Sequence, residues 1–387
     1  MYIPINEIIS PPVYRATTIT SSNMKDFRIK NNYGREGTPT SNLLINFLSN
    51  LYKVEGCVLS PSGMASITTA FMSVLKSKDH VLIPDSVLGS ARRFLEEEFP
   101  RLEIKFDFYD SRDLKQLQTL IKSNTKAIYI ESPGTYTFEI TDIGKVINIC
   151  KKNNLISIVD NTWATSLYLN PFDFGADIVV EAVSKYASGH SDVMMGAALA
   201  NKESLLKLQR WHKNCGMCVS SDDVYLVLRG LDTFSMRLKK SSENSIKIAK
   251  FLQNKKQVKK VIHPALNNHP DYKLWKKDFK GASGVFAIEF EDNVSKEAVN
   301  ELANNCKIFK IGTSWGGHHS LLATTDISKS RKLSSSYIPS GQYLRIYTGT
   351  EDIEVLMNDL DLAFKKMKEY ILSIVGDRYG HRYFLSL

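Results

Sequence analysis

Long apolar runs are missing from the chain. No stretch of about 18 consecutive apolar residues occurs, which argues against a membrane-spanning helix. Met1 to Ser10 has neither the basic start nor the apolar stretch of a secretory leader. Cysteine is sparse: Cys57, Cys150, Cys215, Cys218 and Cys306 form an odd, dispersed set of five. Such a set excludes a secreted disulfide framework and points to a reducing compartment. Cys215 and Cys218 have the two-residue spacing of a redox or zinc pair, but no second pair or His cluster joins them, so they read as structural thiols. His318 and His319 are adjacent, do not share a helix face and lack an acidic motif, so no metal is expected there. A basic stripe is also absent, although 50 Lys and Arg against 41 Asp and Glu leave a net charge of +9. Scattered charge of this kind excludes a nucleic-acid groove. A soluble, cytoplasmic protein is the expectation.

What is present is length and an alternating pattern. A chain of 387 residues, 43% hydrophobic, is long enough for one large and one smaller domain. Val81–Ile83, Ile104–Phe106, Ala127–Ile130, Leu155–Val159 and Ile178–Val180 are short apolar runs, and stretches such as Ile143–Lys151 suit helices between them. That alternation predicts a mostly parallel sheet. Before it, residues 1–40 read as an extended arm, followed by a helix over 42–52. Beyond Gly230 the pattern changes to a long helix over 232–252, strands over 284–290 and 343–347, and a final helix capped by Thr350 with Glu351 and Asp352 in its first turn. The expected division is an arm (1–40), a larger domain (41–231) and a C-terminal domain (232–387). The end, residues 376–387, is aromatic and basic and suggests either a loose tail or a cover for a neighbour.

The chemistry centres on Lys185. It lies on the turn between the Ile178–Val180 and Ala197–Leu199 runs, beside Ser184 and before the small residues Gly189 and Ser191. Sites in α/β sheets gather at strand ends, and a lysine there can lose its proton and attack a carbonyl. Taken alone, Lys185 equally suits a solvated loop. Its partners change that reading. Asp160 follows the Leu155–Val159 run, one βα step away in a parallel sheet, although an Asp there also suits a helix cap. Ser62 and Gly63 open a helix whose free N–H groups can receive an anion. A phosphate at Gly63, an aldehyde carbon at Lys185 and a ring nitrogen beside Asp160 together describe pyridoxal 5'-phosphate, for which the protein supplies a lysine and a carboxylate.

The ordered motifs resemble one family over about Pro11 to Lys366. They are Tyr33-Gly34-Arg35, Ser62-Gly63-Met64, Glu131-Ser132-Pro133-Gly134, Asp160-Asn161-Thr162-Trp163 and Ser184-Lys185-Tyr186 with Gly189-His190-Ser191-Asp192. Arg229-Gly230-Leu231, Ser314-Trp315-Gly316-Gly317, and Arg345 ahead of Gly349-Thr350-Glu351-Asp352 complete the series. The chain thereby resembles the pyridoxal-phosphate enzymes of cysteine and methionine metabolism, and within them the bacterial cystathionine β-lyase branch. The resemblance implies an α/β fold: an aspartate aminotransferase-like large domain with a mostly parallel sheet, plus a smaller α/β C-terminal domain. It implies that Lys185 carries the cofactor and Asp160 pairs with its ring nitrogen, while Gly63, Met64 and Ser184 hold the phosphate. Tyr33 and Arg35 would reach the phosphate from a neighbouring subunit of a homotetramer. Arg345 would clamp the substrate α-carboxylate, with Ser314 and Trp315 lining the pocket. The implied reaction is β-elimination on L-cystathionine, giving homocysteine, pyruvate and ammonia. Loss of the same Cα proton also opens γ-elimination or replacement, cysteine desulfhydration and racemisation.

The chain departs from the family at three places. Leu88 stands where most members carry a tyrosine that stacks on the cofactor ring; leucine covers a ring face but transfers no proton. This predicts slower elimination, a shifted activity, or a cofactor-binding protein of low activity. Ala182 replaces a phosphate-binding serine, and Gly134-Thr135 replaces Ser-Asn; both favour the β-lyase branch, as does Trp163.

Overall fold

The computed structural model describes residues 9–29 and 32–380. The short apolar runs become β1 (Gly56–Ser60), β2 (His80–Pro84), β3 (Lys105–Tyr109), β4 (Thr125–Glu131), β5 (Ile156–Asp160), β6 (Ile178–Glu181) and β7 (Gly196–Ala200). They form one sheet in the order β1-β7-β6-β5-β4-β2-β3. Neighbours from β3 across to β6 are parallel, and β7 runs antiparallel to both β6 and β1. Every residue of β1, β2, β6 and β7 is buried, as suits a sheet covered by helices on both faces. The expected run at Ile104–Phe106 shifts to Lys105–Tyr109, because β3 is an edge strand whose exposed Lys105 and half-buried Asp107 interrupt its apolar pattern.

A second sheet follows: β8 (Val258–Ile262), β9 (Val285–Phe290), β10 (Lys310–Ile311), β11 (Leu321–Thr324) and β12 (Tyr343–Tyr347), in the order β10-β11-β12-β9-β8. Only β10 and β11 pair in parallel; the other neighbours are antiparallel. Its own core joins Phe286, Ile288 and Phe290 to Leu356, Leu360 and Phe364 of the final helix. Trp163, from the turn after β5, donates its indole N–H to the Val285 carbonyl at 3.2 Å and ties the two units together.

Several helix boundaries differ from expectation. The helix expected over 42–52 starts at Pro39, because Thr38 and Ser41 cap each other reciprocally and proline suits the first helical position. The helix expected over 232–252 runs Phe234–Leu252, and a separate helix, Ser221–Leu231, precedes it. Arg237 of the second donates to the Tyr186 carbonyl at 2.8 Å and the Gly230 carbonyl at 2.6 Å, so the break positions an arginine under the Lys185 loop. Asp352, not Thr350, caps the final helix: its Oδ1 accepts the N–H groups of Glu354 (2.9 Å) and Val355 (3.3 Å), whereas the Thr350 N–H donates to the His318 carbonyl. That helix spans Ile353–Gly380, so residues 376–380 of the expected tail are helical and 381–387 lie outside the described residues, as do residues 1–8, 30 and 31 of the arm.

Candidate active site

The site forms where the parallel strands end. β4 closes on Glu131 and β5 on Asp160, in register with each other, and the chain leaves β6 at Glu181 for the loop that carries Lys185. On one side of this row begins the helix Gly63–Val74. Ser62 caps it by accepting the Ala65 N–H at 3.0 Å, and the first helical bond runs from the Ser66 N–H to the Ser62 carbonyl at 3.1 Å. The N–H groups of Gly63 and Met64 precede that bond, at the positive end of the helix. A Cβ on Gly63 would stand 2.6 Å from the Ala182 Cβ, so only glycine lets this helix start sit against the lysine loop.

Lys185 is half-buried. Its Nζ donates to the Ser314 Oγ at 2.7 Å and lies 5.3 Å from the centre of the Trp315 ring. Gly316 brings those two residues in: its φ is +91°, and a Cβ there would stand 2.8 Å from the Lys185 backbone. Burial, assisted by the charge of Arg345, lowers the Lys185 pKa to about 8. A lowered lysine pKa means the neutral, nucleophilic form gains as pH rises through that value. The rate at which the cofactor-free protein captures added pyridoxal phosphate should therefore rise with pH around a midpoint near 8; a midpoint near the ordinary 10.5 would refute it. Stopped-flow absorbance across a pH series makes the measurement.

Asp160 is the deeper partner. Its Oδ1 accepts the Thr162 N–H at 2.9 Å and its Oδ2 the Tyr129 hydroxyl at 3.2 Å. Burial raises its pKa against those hydrogen bonds, and it makes no ion pair among the described residues. A buried carboxylate without a cation is costly, and a protonated ring nitrogen is the partner that would complete it. It is no helix cap, since it ends β5.

Arg345 comes from β12 of the second sheet and is buried. One Nη donates to the Gly312 carbonyl at 2.6 Å and the other to the Thr313 carbonyl, while Nε has no hydrogen-bond partner among the described residues. The guanidinium is thus held in place with donor capacity left over, which suits a carboxylate.

Other expected residues stand differently. The Ser184 hydroxyl donates to the Met195 carbonyl at 3.0 Å and accepts the Met195 N–H at 2.7 Å, closing the base of the lysine loop. Tyr33 precedes a short 3₁₀ turn, Gly34–Glu36, that contains Arg35; Arg35 donates to the Lys213 carbonyl at 3.1 Å and lines a cavity with Leu59, His212 and Cys218. Leu88 is 37% exposed at the start of the helix Gly89–Glu98, and its N–H donates to the Glu131 Oε2 at 2.8 Å. Cys57, Cys150 and Cys306 are buried, but Cys215 and Cys218 are exposed, which corrects their reading as structural thiols: the turn after the helix Lys202–Asn214 carries them outward.

The site also contains residues that the sequence did not single out. Glu131 accepts the Thr135 hydroxyl as well as the Leu88 N–H, and burial together with the charge of Asp160 pushes its pKa up to about 8. Glu181 accepts the Tyr52 hydroxyl, and burial pushes it up to about 7. Tyr52 also accepts the Asn161 side-chain amide at 3.2 Å. Glu131 and Asn161 lie within recognised motifs, yet nothing in those motifs says that three carboxyls share one buried row.

A lysine with a lowered pKa, a half-buried carboxylate without an ion pair among the described residues, an open helix start and a half-free guanidinium fit pyridoxal phosphate and an amino acid. Comparison with known proteins agrees. The family model for Cys/Met metabolism PLP-dependent enzymes matches residues 4–365. An L-alanine/L-glutamate racemase of Wolbachia pipientis wMel is 37% identical over 93% of each chain. A cystathionine β-lyase of Bacillus subtilis is 34% identical, covering 93% of this chain and 92% of its own. The crystal structure of a cystathionine γ-synthase from Xanthomonas oryzae, in complex with aminoacrylate and cysteine, superposes with a TM-score of 0.87 at 28% identity over 93% of this chain and 94% of that one. The chain belongs to the Cys/Met metabolism family of enzymes that depend on pyridoxal phosphate.

Proposed function

We propose that the protein is a carbon–sulfur β-lyase that cleaves L-cystathionine, with water, to homocysteine, pyruvate and ammonia. The observation that carries this reading is the placement of Lys185 Nζ, lowered to a pKa of about 8, among Ser314, Trp315 and Arg345. Bound pyridoxal phosphate supplies the electron sink for the substrate Cα. Arg345 receives the α-carboxylate, which aims the Cα–H bond at Lys185. Lys185 takes the proton, and its pKa lies close enough to neutrality for it to give one up again. The homocysteine thiol then leaves from Cβ; as a comparatively acidic leaving group it needs little help, which suits a site with Leu88 in place of a tyrosine.

The N-terminal turn supports the wider assembly in this proposal, a cytoplasmic homotetramer. Arg35 spends one Nη on a backbone carbonyl, which leaves guanidinium donors for a phosphate in a neighbouring subunit.

A second reading is amino-acid racemisation. The Wolbachia racemase, at 37% identity, supports it, and it begins with the same proton removal by Lys185. Product identity separates the two. Purified enzyme is given L-cystathionine, L-alanine and L-glutamate in parallel, and pyruvate, 2-oxobutyrate and D-amino acids are measured. Pyruvate with homocysteine from cystathionine is the expected result. D-alanine or D-glutamate without pyruvate replaces the first reading with the second, and 2-oxobutyrate moves the cleavage to Cγ.

A further inference from the structure

The turn after β4 presents a tyrosine that the resemblance does not account for. Tyr136 is half-buried and holds φ at +69°, a left-handed conformation that tyrosine rarely adopts. Such strain persists only where surrounding contacts enforce it, and here five hydrogen bonds do. The Thr135 N–H donates to the Ser86 carbonyl at 2.8 Å, and the Thr135 hydroxyl donates to Glu131. Arg331, buried, reaches across from the second unit to donate to the Thr135 carbonyl and the Thr137 Oγ1, each at 2.7 Å. The Tyr343 hydroxyl donates to the Tyr136 carbonyl at 2.5 Å. Tyr343 and Arg345 are two residues apart on β12 and therefore share a face, so the last bond brings Tyr136 over the face that carries the guanidinium. Tyr136 also lies near enough to Arg345 to oppose the lowering of its pKa by burial, and Arg345 in turn lowers that of Lys185.

We propose that Tyr136 is a substrate-binding residue, its phenol donating a hydrogen bond to the α-carboxylate that Arg345 receives. The proposal rests on the reading of Arg345 as the carboxylate site. It also places a hydroxyl on the substrate side of the pocket beside Leu88, which has none: the Thr135–Ser86 bond joins the Tyr136 turn to the loop that ends in Leu88. Arg331 is a positioning residue in this arrangement, acting through the turn.

The test uses the cofactor-loaded enzyme and 2-aminoisobutyrate, an amino acid without a Cα hydrogen, so that binding is read from cofactor absorbance with no turnover. Isopropylamine, which has no carboxylate, is the control ligand. Tyr136→Phe should weaken 2-aminoisobutyrate about tenfold, the lower end for a hydrogen bond to a charged group, and leave isopropylamine, cofactor content and thermal midpoint unchanged. Arg345→Met should weaken the amino acid as well. If Arg345→Met weakens it and Tyr136→Phe does not, the Tyr136 proposal is overturned and the carboxylate reading stands. If neither does, both fall. Equal weakening of both ligands by Tyr136→Phe also overturns the proposal, because the phenol would then not be addressing the carboxylate. Should Tyr136→Phe fail to load cofactor, Arg331→Met, which keeps the phenol but unties its turn, is read in the same way.

Discussion

Turnover of the Lys185→Ala enzyme should fall about 10⁴-fold or more, the upper range for loss of a group that moves a proton in the rate-determining step. The structure explains why no neighbour would take over. Nζ donates to the Ser314 hydroxyl at 2.7 Å and lies 5.3 Å from the centre of the Trp315 ring. Neither is a base at neutral pH. Arg345 is cationic, and both of its Nη groups are held by backbone carbonyls. The variant should still bind pyridoxal phosphate, because Asp160 and the Gly63 helix start are untouched, but reversibly and without the absorbance of the lysine-bound form. Dialysis should then strip the cofactor from Lys185→Ala and not from the parent. A variant that kept a tenth of the parent rate would remove Lys185 from the chemistry.

The second large effect is expected at Asp160. Asparagine keeps the shape and can still accept the Thr162 N–H, but it removes the charge that would face the ring nitrogen. Loss of a preorganised electrostatic partner typically costs about 10²–10³ in rate, and Asp160→Asn should show a loss of that size. Cofactor affinity should weaken roughly tenfold, as when a charge-assisted bond becomes a neutral one. Equilibrium titration of the cofactor-free variant measures the second number independently of activity. Unchanged affinity would mean that Asp160 does not meet the cofactor. Glu131 is the obvious candidate for a substitute, in register on the next strand. However, it already accepts the Leu88 N–H and the Thr135 hydroxyl, and with its pKa at about 8 it is largely protonated at neutral pH.

The residues proposed to meet the cofactor are the legible part of this site. Lys185, Asp160 and Gly63 sit at ends of short apolar runs, where residue type and position both carry meaning. What was not legible depends on strand order. Asp160 and Glu131 come together because β5 lies beside β4, and Glu181 joins them because β6 lies on its other side. Sequence spacing contains the number of βα steps but not the neighbours each step produces. The second unit was harder still. β10 and β11 are two and four residues long, too short for alternation to register, so only β9 and β12 were visible. The same limit hid Tyr136: its place over β12 depends on Tyr343, 207 residues further along, on the distant Arg331, and on a backbone angle that residue type gives no reason to expect. Near-repeats misled as well. Thr350 and Asp352 are both good caps, and the choice between them was settled by the His318 carbonyl that occupies the Thr350 N–H.

The row of Glu131, Asp160 and Glu181 has a thermodynamic side. All three carboxyls have raised pKa values in the cofactor-free chain, Glu131 to about 8 and Glu181 to about 7. For a carboxyl raised on folding, the folded state binds the proton more tightly than the unfolded one. Its contribution to stability is complete below the unfolded pKa and is lost as pH rises through the folded value. Between pH 4.5, the ordinary value for Glu131, and about 8, the contribution of this row to the stability of the cofactor-free protein therefore falls as pH rises. A cationic ring that met Asp160 as proposed, binding only the folded form, would work against that loss by mass action. In the proposed site the cofactor would thus act as the counterion of this row as well as the electron sink.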